Sequence, residues 1–205
     1  MLEHVPAWLG RALASVRAGA DKLVIAQPGM AGEGQLSLTS PAFADGARLP
    51  ERFTADGAKN GGGVSPPLLW TGVPDGATLA LIVEDPDAPA VQPLVHCIVW
   101  GLDAAAGGLG EGAITAEGEA GDVGRSSLFR VGWLPPDPPT GHGEHRYVFQ
   151  LFALAAASPD PKDTPGRSAL VEVMRDRVLA SAVLVGTYSR GEPAAIGPVA
   201  AAAPA

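Results

Sequence analysis

The chain has 205 residues, a formal net charge of −8 and a hydrophobic content of 46%. It is long and apolar enough for one domain with its own core, and too acidic to wrap a nucleic acid or dock electrostatically on an anionic bilayer. Its 27 glycines and 20 prolines follow no collagen-like period and suit short strands with ordered loops, not a helical bundle, while a single cysteine, Cys97, excludes an internal disulfide or a cysteine-rich zinc site.

Residues 1–30 read as an N-terminal helical extension. Val5, Trp8, Leu9, Ala12, Leu13 and Val16 recur at helical spacing, with Pro6 acceptable in the first turn. Such a stripe suits packing on the main domain, with a membrane or partner contact, a homodimer included, as the alternative. No charged n-region precedes an apolar h-region, and no apolar run is long enough for a membrane span, so a cytoplasmic protein is expected.

From Gln35 the texture turns to strands, with Leu36 and Leu38 alternating with Ser37 and Thr39. Buried strands are expected over Thr78–Val83, Leu94–Leu102 and Arg146–Leu154, and a long ordered loop over 103–145. Ser168 caps a predicted helix that runs to Ser181, and Ala182–Tyr188 reads as a last strand. The main domain is thus 31–190. The tail 191–205, nearly all small residues and proline, is expected to be disordered.

Two segments concentrate the chemistry. Glu84-Asp85-Pro86-Asp87-Ala88-Pro89, followed by His96, and His142-Gly143-Glu144-His145-Arg146-Tyr147 each place acidic, imidazole or phenol groups where a loop meets an apolar strand. Strand alternation puts His96 beside Ile98 and Trp100, and groups His145 with Tyr147 and Phe149. If the two strands flank one cleft, His96, His145 and Tyr147 converge there with Asp85 and Asp87 at its lip. Three readings remain open on the residues alone. A carboxylate-oriented imidazole and a phenol hold a small anionic or zwitterionic ligand; two Asp and two His ligate a metal, though without a recognised ligand spacing; or the groups are satisfied structural polars. Cys97, in the apolar run Val95–Val99, reads as an inert buried thiol, and no Gly-x-Ser-x-Gly elbow is present.

At these residues the chain resembles the phosphatidylethanolamine-binding protein family, in its bacterial Raf-kinase-inhibitor-like branch. The similarity runs from about Leu36 to Arg190 through three ordered motifs: Thr54-Ala55-Asp56-Gly57 with Val64–Trp70, Val83–Pro89 with His96, and Pro138-Pro139 through Tyr147. The resemblance implies a mainly β fold, a β-sandwich of two largely antiparallel sheets with a few peripheral helices. It implies a small pocket for phosphate, acetate or a phospholipid headgroup, walled by Asp85, Asp87, Pro89, His96, His145 and Tyr147, with Ser126 standing where the family usually has Asn. It implies a binding protein without an enzyme's chemistry, cofactor or metal, acting in regulation on a kinase or protease partner. A hydrolase that uses the Asp/His cluster with a metal or bound water is the alternative, and an interaction protein with a vestigial pocket is a third. The departures cluster between Gly124 and Pro136, where Ser126, Leu128, Phe129, Trp133 and Pro135 replace the usual residues. Phe129 is expected to resist a positive φ, and the pocket rim is expected to be rebuilt.

Overall fold

The central strands are buried on both faces, and strand alternation sorts their side chains between two cores. The computed structural model describes residues 5–118, 121–156, 158–161 and 164–190; the expected tail lies outside them. A five-stranded antiparallel sheet runs in the order β6 (Asp122–Val123), β4 (Leu94–Leu102), β3 (Thr78–Asp85), β7 (His145–Leu154), β8 (Val178–Tyr188). A second sheet of three strands follows the order β1 (Ser37–Thr39), β2 (Leu68–Thr71), β5 (Gly108–Leu109). The protein is therefore mainly β, with two antiparallel sheets and few helices, as the resemblance implied.

Alternate residues of the large sheet face opposite ways. Leu79, Leu81 and Val83 of β3 join Cys97, Val99, Tyr147, Phe149 and Leu151 in a core closed by Leu38, Leu68 and Trp70 of the small sheet. Ala80 and Ile82 face the other side with Ile98, Trp100 and Phe152, beneath α2 (Arg167–Met174), which contributes Leu170, Val171 and Met174.

The helices are shorter than the sequence pattern predicts. The predicted helix to Ser181 stops at Met174, because Arg175 turns extended and Asp176 takes a left-handed φ of 59°, a conformation that a short polar side chain tolerates. The chain then enters β8 at Val178, four residues before the expected strand start. The N-terminal segment holds one helix, α1 (Ala7–Leu13), and two short 3₁₀ turns at Ala20–Lys22 and Val24–Ala26. From Leu23 on it is part of the fold: Leu23, Val24 and Met30 are buried, and Val24 and Met30 belong to the cluster under α2. Of the helical stripe, Trp8, Leu13 and Val16 face outward.

One carboxylate ties three of these pieces together. Glu84, fully buried at the end of β3, accepts from the Val24 backbone N–H (2.8 Å), Gln150 Nε2 of β7 (2.8 Å) and Arg167 Nε of α2 (2.6 Å). Replacing it by alanine leaves those donors unmatched, with a charged guanidinium among them. Glu84→Ala is expected to cost about 3 kcal/mol in urea unfolding. A loss below about 1 kcal/mol would show that the tie is dispensable.

Candidate ligand-binding site

The turn after β3 builds one wall. Asp87 donates its backbone N–H to Asp85 Oδ1 (2.8 Å), the side-chain-to-backbone bond typical of such turns, and Pro86 fixes φ between them. Asp85 Oδ2 then accepts from Nδ1 of His145 (2.7 Å), and Nε2 of His145 meets Nδ1 of His142 at 2.7 Å, so one proton lies between the two imidazoles. Asp87 faces elsewhere. It accepts from the Arg146 backbone N–H (2.9 Å), Nε (2.7 Å) and Nη2 (2.8 Å), and pairs with Arg17 at 2.9 Å. Burial opposes ionisation of Asp87, but the Arg146 donors and Arg17 outweigh it and hold the carboxyl below its ordinary 3.8.

His96 reaches this group through an irregularity. Regular alternation would leave it on the Ile98 face, away from Tyr147. The β3–β4 ladder slips between Val83↔Cys97 and Glu84↔Val95, so His96 has no residue opposite it, and the bulge re-aims its ring. The ring now meets Tyr147 edge-on at 5.0 Å and lies 6.5 Å from Trp133. Its Nδ1 stands 2.7 Å from the Leu134 carbonyl oxygen. A carbonyl only accepts, so Nδ1 carries the hydrogen and Nε2 keeps a bare lone pair. Burial pushes the His96 pKa below its ordinary 6.5, against the pull of Asp85 and the Leu134 bond, which keeps the ring neutral at pH 7.

His96 Nε2 and Tyr147 Oη are buried with no hydrogen-bond partner. Burial and then the Asp85 charge push the Tyr147 phenol well above 10, so it stays an O–H able to donate and accept. Buried polar atoms left alone are rare and mark places built for water or a ligand.

The residues expected from the sequence divide as follows. Asp85, His96, His145 and Tyr147 converge, and Asp87 lies one turn behind them. Asp85 and Asp87 were expected at an open lip; both are buried, and Arg17, Ala18 and Gly19 bond along their turn. Pro89 is exposed beyond the turn. Ser126 uses its hydroxyl to accept from the Arg130 N–H at 3.2 Å within a tight hairpin. Phe129, at the tip of that hairpin, does take a φ of 58°, with its ring 84% exposed. Trp133 is core instead of rim: it stacks on Phe149 at 6.0 Å and donates its indole N–H to the Phe53 carbonyl (3.2 Å). Cys97 is buried and its thiol is pushed up to about 12 by burial, which rules it out as a nucleophile. Among the described residues no group of three or more His, Cys, Asp or Glu side chains is placed to hold a metal ion.

His142 and Arg17 were not among the expected site residues. His142 had a local signal, its spacing of three from His145; Arg17, 70 positions before Asp87, had none. A third contributor is Asp56 of the first motif, which accepts from Tyr188 Oη (2.8 Å) and pairs with Arg190, whose guanidinium also reaches Asp137. That bridge pins the loop beside His96 and Tyr147, where Asp137 acts on both rings.

A pH dependence of stability follows. Burial holds His96 below 6.5, and burial with the neighbouring His145 and Arg17 holds His142 below it too. The unfolded chain therefore binds more protons near pH 6 than the folded one, and stability falls as pH drops through and below about 6.5. Between pH 7 and 5 the loss is expected to be about 1–3 kcal/mol by urea titration. Stability that rises over that interval would show that the rings are protonated when folded.

With this geometry in hand, comparison with known proteins is direct. The family model described as phosphatidylethanolamine-binding protein matches residues 39–189. A UPF0098 protein of Mycobacterium bovis is 40% identical over 161 residues, covering 75% of this chain and 70% of its own. The crystal structure of CT736, a phosphatidylethanolamine-binding protein homologue from Chlamydia trachomatis, superposes with a TM-score of 0.68 at 34% identity, covering 78% of this chain and all of its own. That of Escherichia coli YbcL gives a TM-score of 0.68 at 27% identity, covering 76% and 99%. The matched stretch runs from β1 to the end of β8 and contains Asp56, Asp85, Asp87, His96, Asp137, His142, His145 and Tyr147, while Arg17 and Arg190 lie outside it: the chain belongs to the phosphatidylethanolamine-binding protein family.

Proposed function

We propose that this protein binds a small oxyanion-bearing ligand at His96 and Tyr147, beside the Asp85–His145 pair, without turning it over. The observation that carries this reading is the pair of buried, unpartnered atoms His96 Nε2 and Tyr147 Oη. Their chemistry narrows the ligand class. A neutral His96 offers a lone pair and needs a donor, whereas the phenol of Tyr147 can donate to an oxyanion. Asp85 and Asp137 nearby disfavour a bare anion. The ligand must therefore both accept and donate: a phosphate that keeps one O–H, or a phosphate carrying an ammonium, as in an ethanolamine headgroup. Asp85 supports the site by fixing the His145 tautomer.

The lone thiol, Cys97, is buried with its pKa pushed up to about 12, and among the described residues no group of three or more His, Cys, Asp or Glu side chains is placed to hold a metal ion, so binding has more support than hydrolysis. Membership of the family favours the same conclusion. In this reading the protein acts in regulation, with a kinase or protease as its partner class, in the cytoplasm. The lone cysteine, buried and unpaired, accords with a reducing compartment.

Tyr147→Phe separates binding from structure, because it removes one oxygen and keeps the packed ring. Loss of a hydrogen bond to a charged ligand, about 1.5–3 kcal/mol, should raise the Kd for phosphate or phosphoethanolamine at least about tenfold in calorimetry. The melting temperature should hold or rise, since an unpaired buried hydroxyl is removed. Whichever probe binds tighter to the parent protein distinguishes free phosphate from a headgroup. Unchanged affinity for both probes would overturn the proposal.

A further inference from the structure

We infer that the N-terminal segment Pro6–Ala18 is a built-in cover of this site, hinged at Gly19, that must swing away before a ligand reaches His96 and Tyr147. The consequence for affinity rests on the ligand-binding reading; the cover itself does not.

The site is sealed. None of His96, His142, His145 and Tyr147 is more than 2% exposed. The seal is made at two places by the same segment. First, α1 crosses the loop before β7 at glycine-to-backbone contact: a Cβ on Gly10 would stand 2.1 Å from the Thr140 carbonyl oxygen, and one on Gly141 would stand 2.7 Å from the Ala7 carbonyl oxygen. Only glycine permits this approach at Gly10. Second, the chain after α1 runs along the Asp85–Ala88 turn. Ala18 N–H donates to the Ala88 carbonyl (3.0 Å) and Gly19 N–H to that of Pro86 (2.9 Å). Arg17 reaches both Asp87 (2.9 Å) and the Glu144 carbonyl (2.9 Å). His142 interacts with both sides of the seam: the carbonyls of Leu13 and Val16 act on its ring, and the His145 ring lies 4.8 Å away.

This cover is the least anchored wall of the site. The others are strands of the large sheet, paired along most of their length, and the 133–138 loop, which the Trp133 indole and the Asp56–Arg190–Asp137 bridge tie down. In α1 only Gly10 is buried, and Trp8 is 65% exposed, so lifting the helix uncovers little apolar surface of its own. The anchoring begins just beyond, where Leu23, Val24 and Met30 enter the core and Glu84 grips the Val24 N–H. Between the loose and the clamped parts stands Gly19, with φ 104°, a backbone state that only glycine visits freely. Polar atoms left without partners under a weakly held segment are what a gated site requires.

The test uses the full chain and two variants that lift the cover by different means. Gly10→Ala forces it off sterically, and Arg17→Ala removes its ionic latch; exposed Ser15→Ala is the control. Carbethoxylation of His96, His142 and His145 by diethyl pyrocarbonate, read residue by residue by peptide mass spectrometry, reports access without any ligand. Rates should rise at least about tenfold in both opening variants and stay at the parent value in Ser15→Ala. Near-ultraviolet circular dichroism confirms that each variant is folded, and Arg17→Ala carries the test if Gly10→Ala is not. Phosphate titration of the same proteins is the second arm, with at least about threefold tighter binding expected in the opened variants. Faster modification with no phosphate binding in any protein leaves the cover standing and sinks the ligand assignment. Unchanged modification rates in the folded variants would overturn the cover, whatever phosphate does.

Discussion

Three carboxylates within four residues, Glu84, Asp85 and Asp87, are buried where β3 runs into its turn, and each needs donors of its own. The chain meets that demand by sending them in three directions. Glu84 turns to the face under α2 and gathers Val24, Gln150 and Arg167. Asp85 turns to the opposite face and fixes His145. Asp87, beyond Pro86, takes Arg146 and Arg17. Both faces of the large sheet, the start of β7, helix α2 and the N-terminal segment are thereby tied to one stretch of backbone. Breaking any of these pairs leaves a buried charge without its partner, which is a larger loss than the pair's own net worth.

The site follows from that arrangement and from one slip in the ladder. With Asp85 holding His145, and the bulge beside Glu84 turning His96 toward Tyr147, the imidazoles and the phenol come to lie on the side of the sheet that faces the sandwich core. The tautomers are then dictated by acceptors: the Leu134 carbonyl for His96 and the Asp85 carboxylate for His145. The free atoms left over, one lone pair and one hydroxyl, define what can bind. In the proposed reading the direction of these hydrogen bonds, more than net charge, selects the ligand, because His96 stays neutral while Asp85 and Asp137 stand close by.

Much of this was legible in the chain. The strands expected at Thr78–Val83, Leu94–Leu102 and Arg146–Leu154 announce themselves as apolar runs framed by Pro and Gly and match β3, β4 and β7 to within two residues, and the Asp-Pro-Asp turn with its histidines marks the candidate site. What the pattern missed has definite physical causes. Alternation assumes an unbroken pleat, so it placed His96 with Ile98; a bulge depends on the partner strand and leaves no trace in one strand's sequence. Helical spacing in residues 5–16 was real for only seven residues, since the segment's later apolar positions, Leu23, Val24 and Met30, belong to the core and not to a helix stripe. Arg17 was invisible because its partner Asp87 is distant in sequence. Of the departures expected to rebuild the rim, Ser126 closes a hairpin and Phe129 points outward, while Trp133 fills the core beside His96. Phe129 accepts a left-handed backbone at a penalty of about 1–2 kcal/mol, which shows that the hairpin geometry outweighs the local preference.

The most direct test of the account is the ¹⁵N spectrum of the histidine rings, recorded at pH 7 with and without phosphate. The account predicts that His96 and His145 carry hydrogen on Nδ1, that Nε2 of His96 is bare in the free protein, and that phosphate moves that Nε2 resonance toward the hydrogen-bonded range. A His96 protonated on Nε2 without ligand, or an Nε2 signal that saturating phosphate leaves in place, would contradict it.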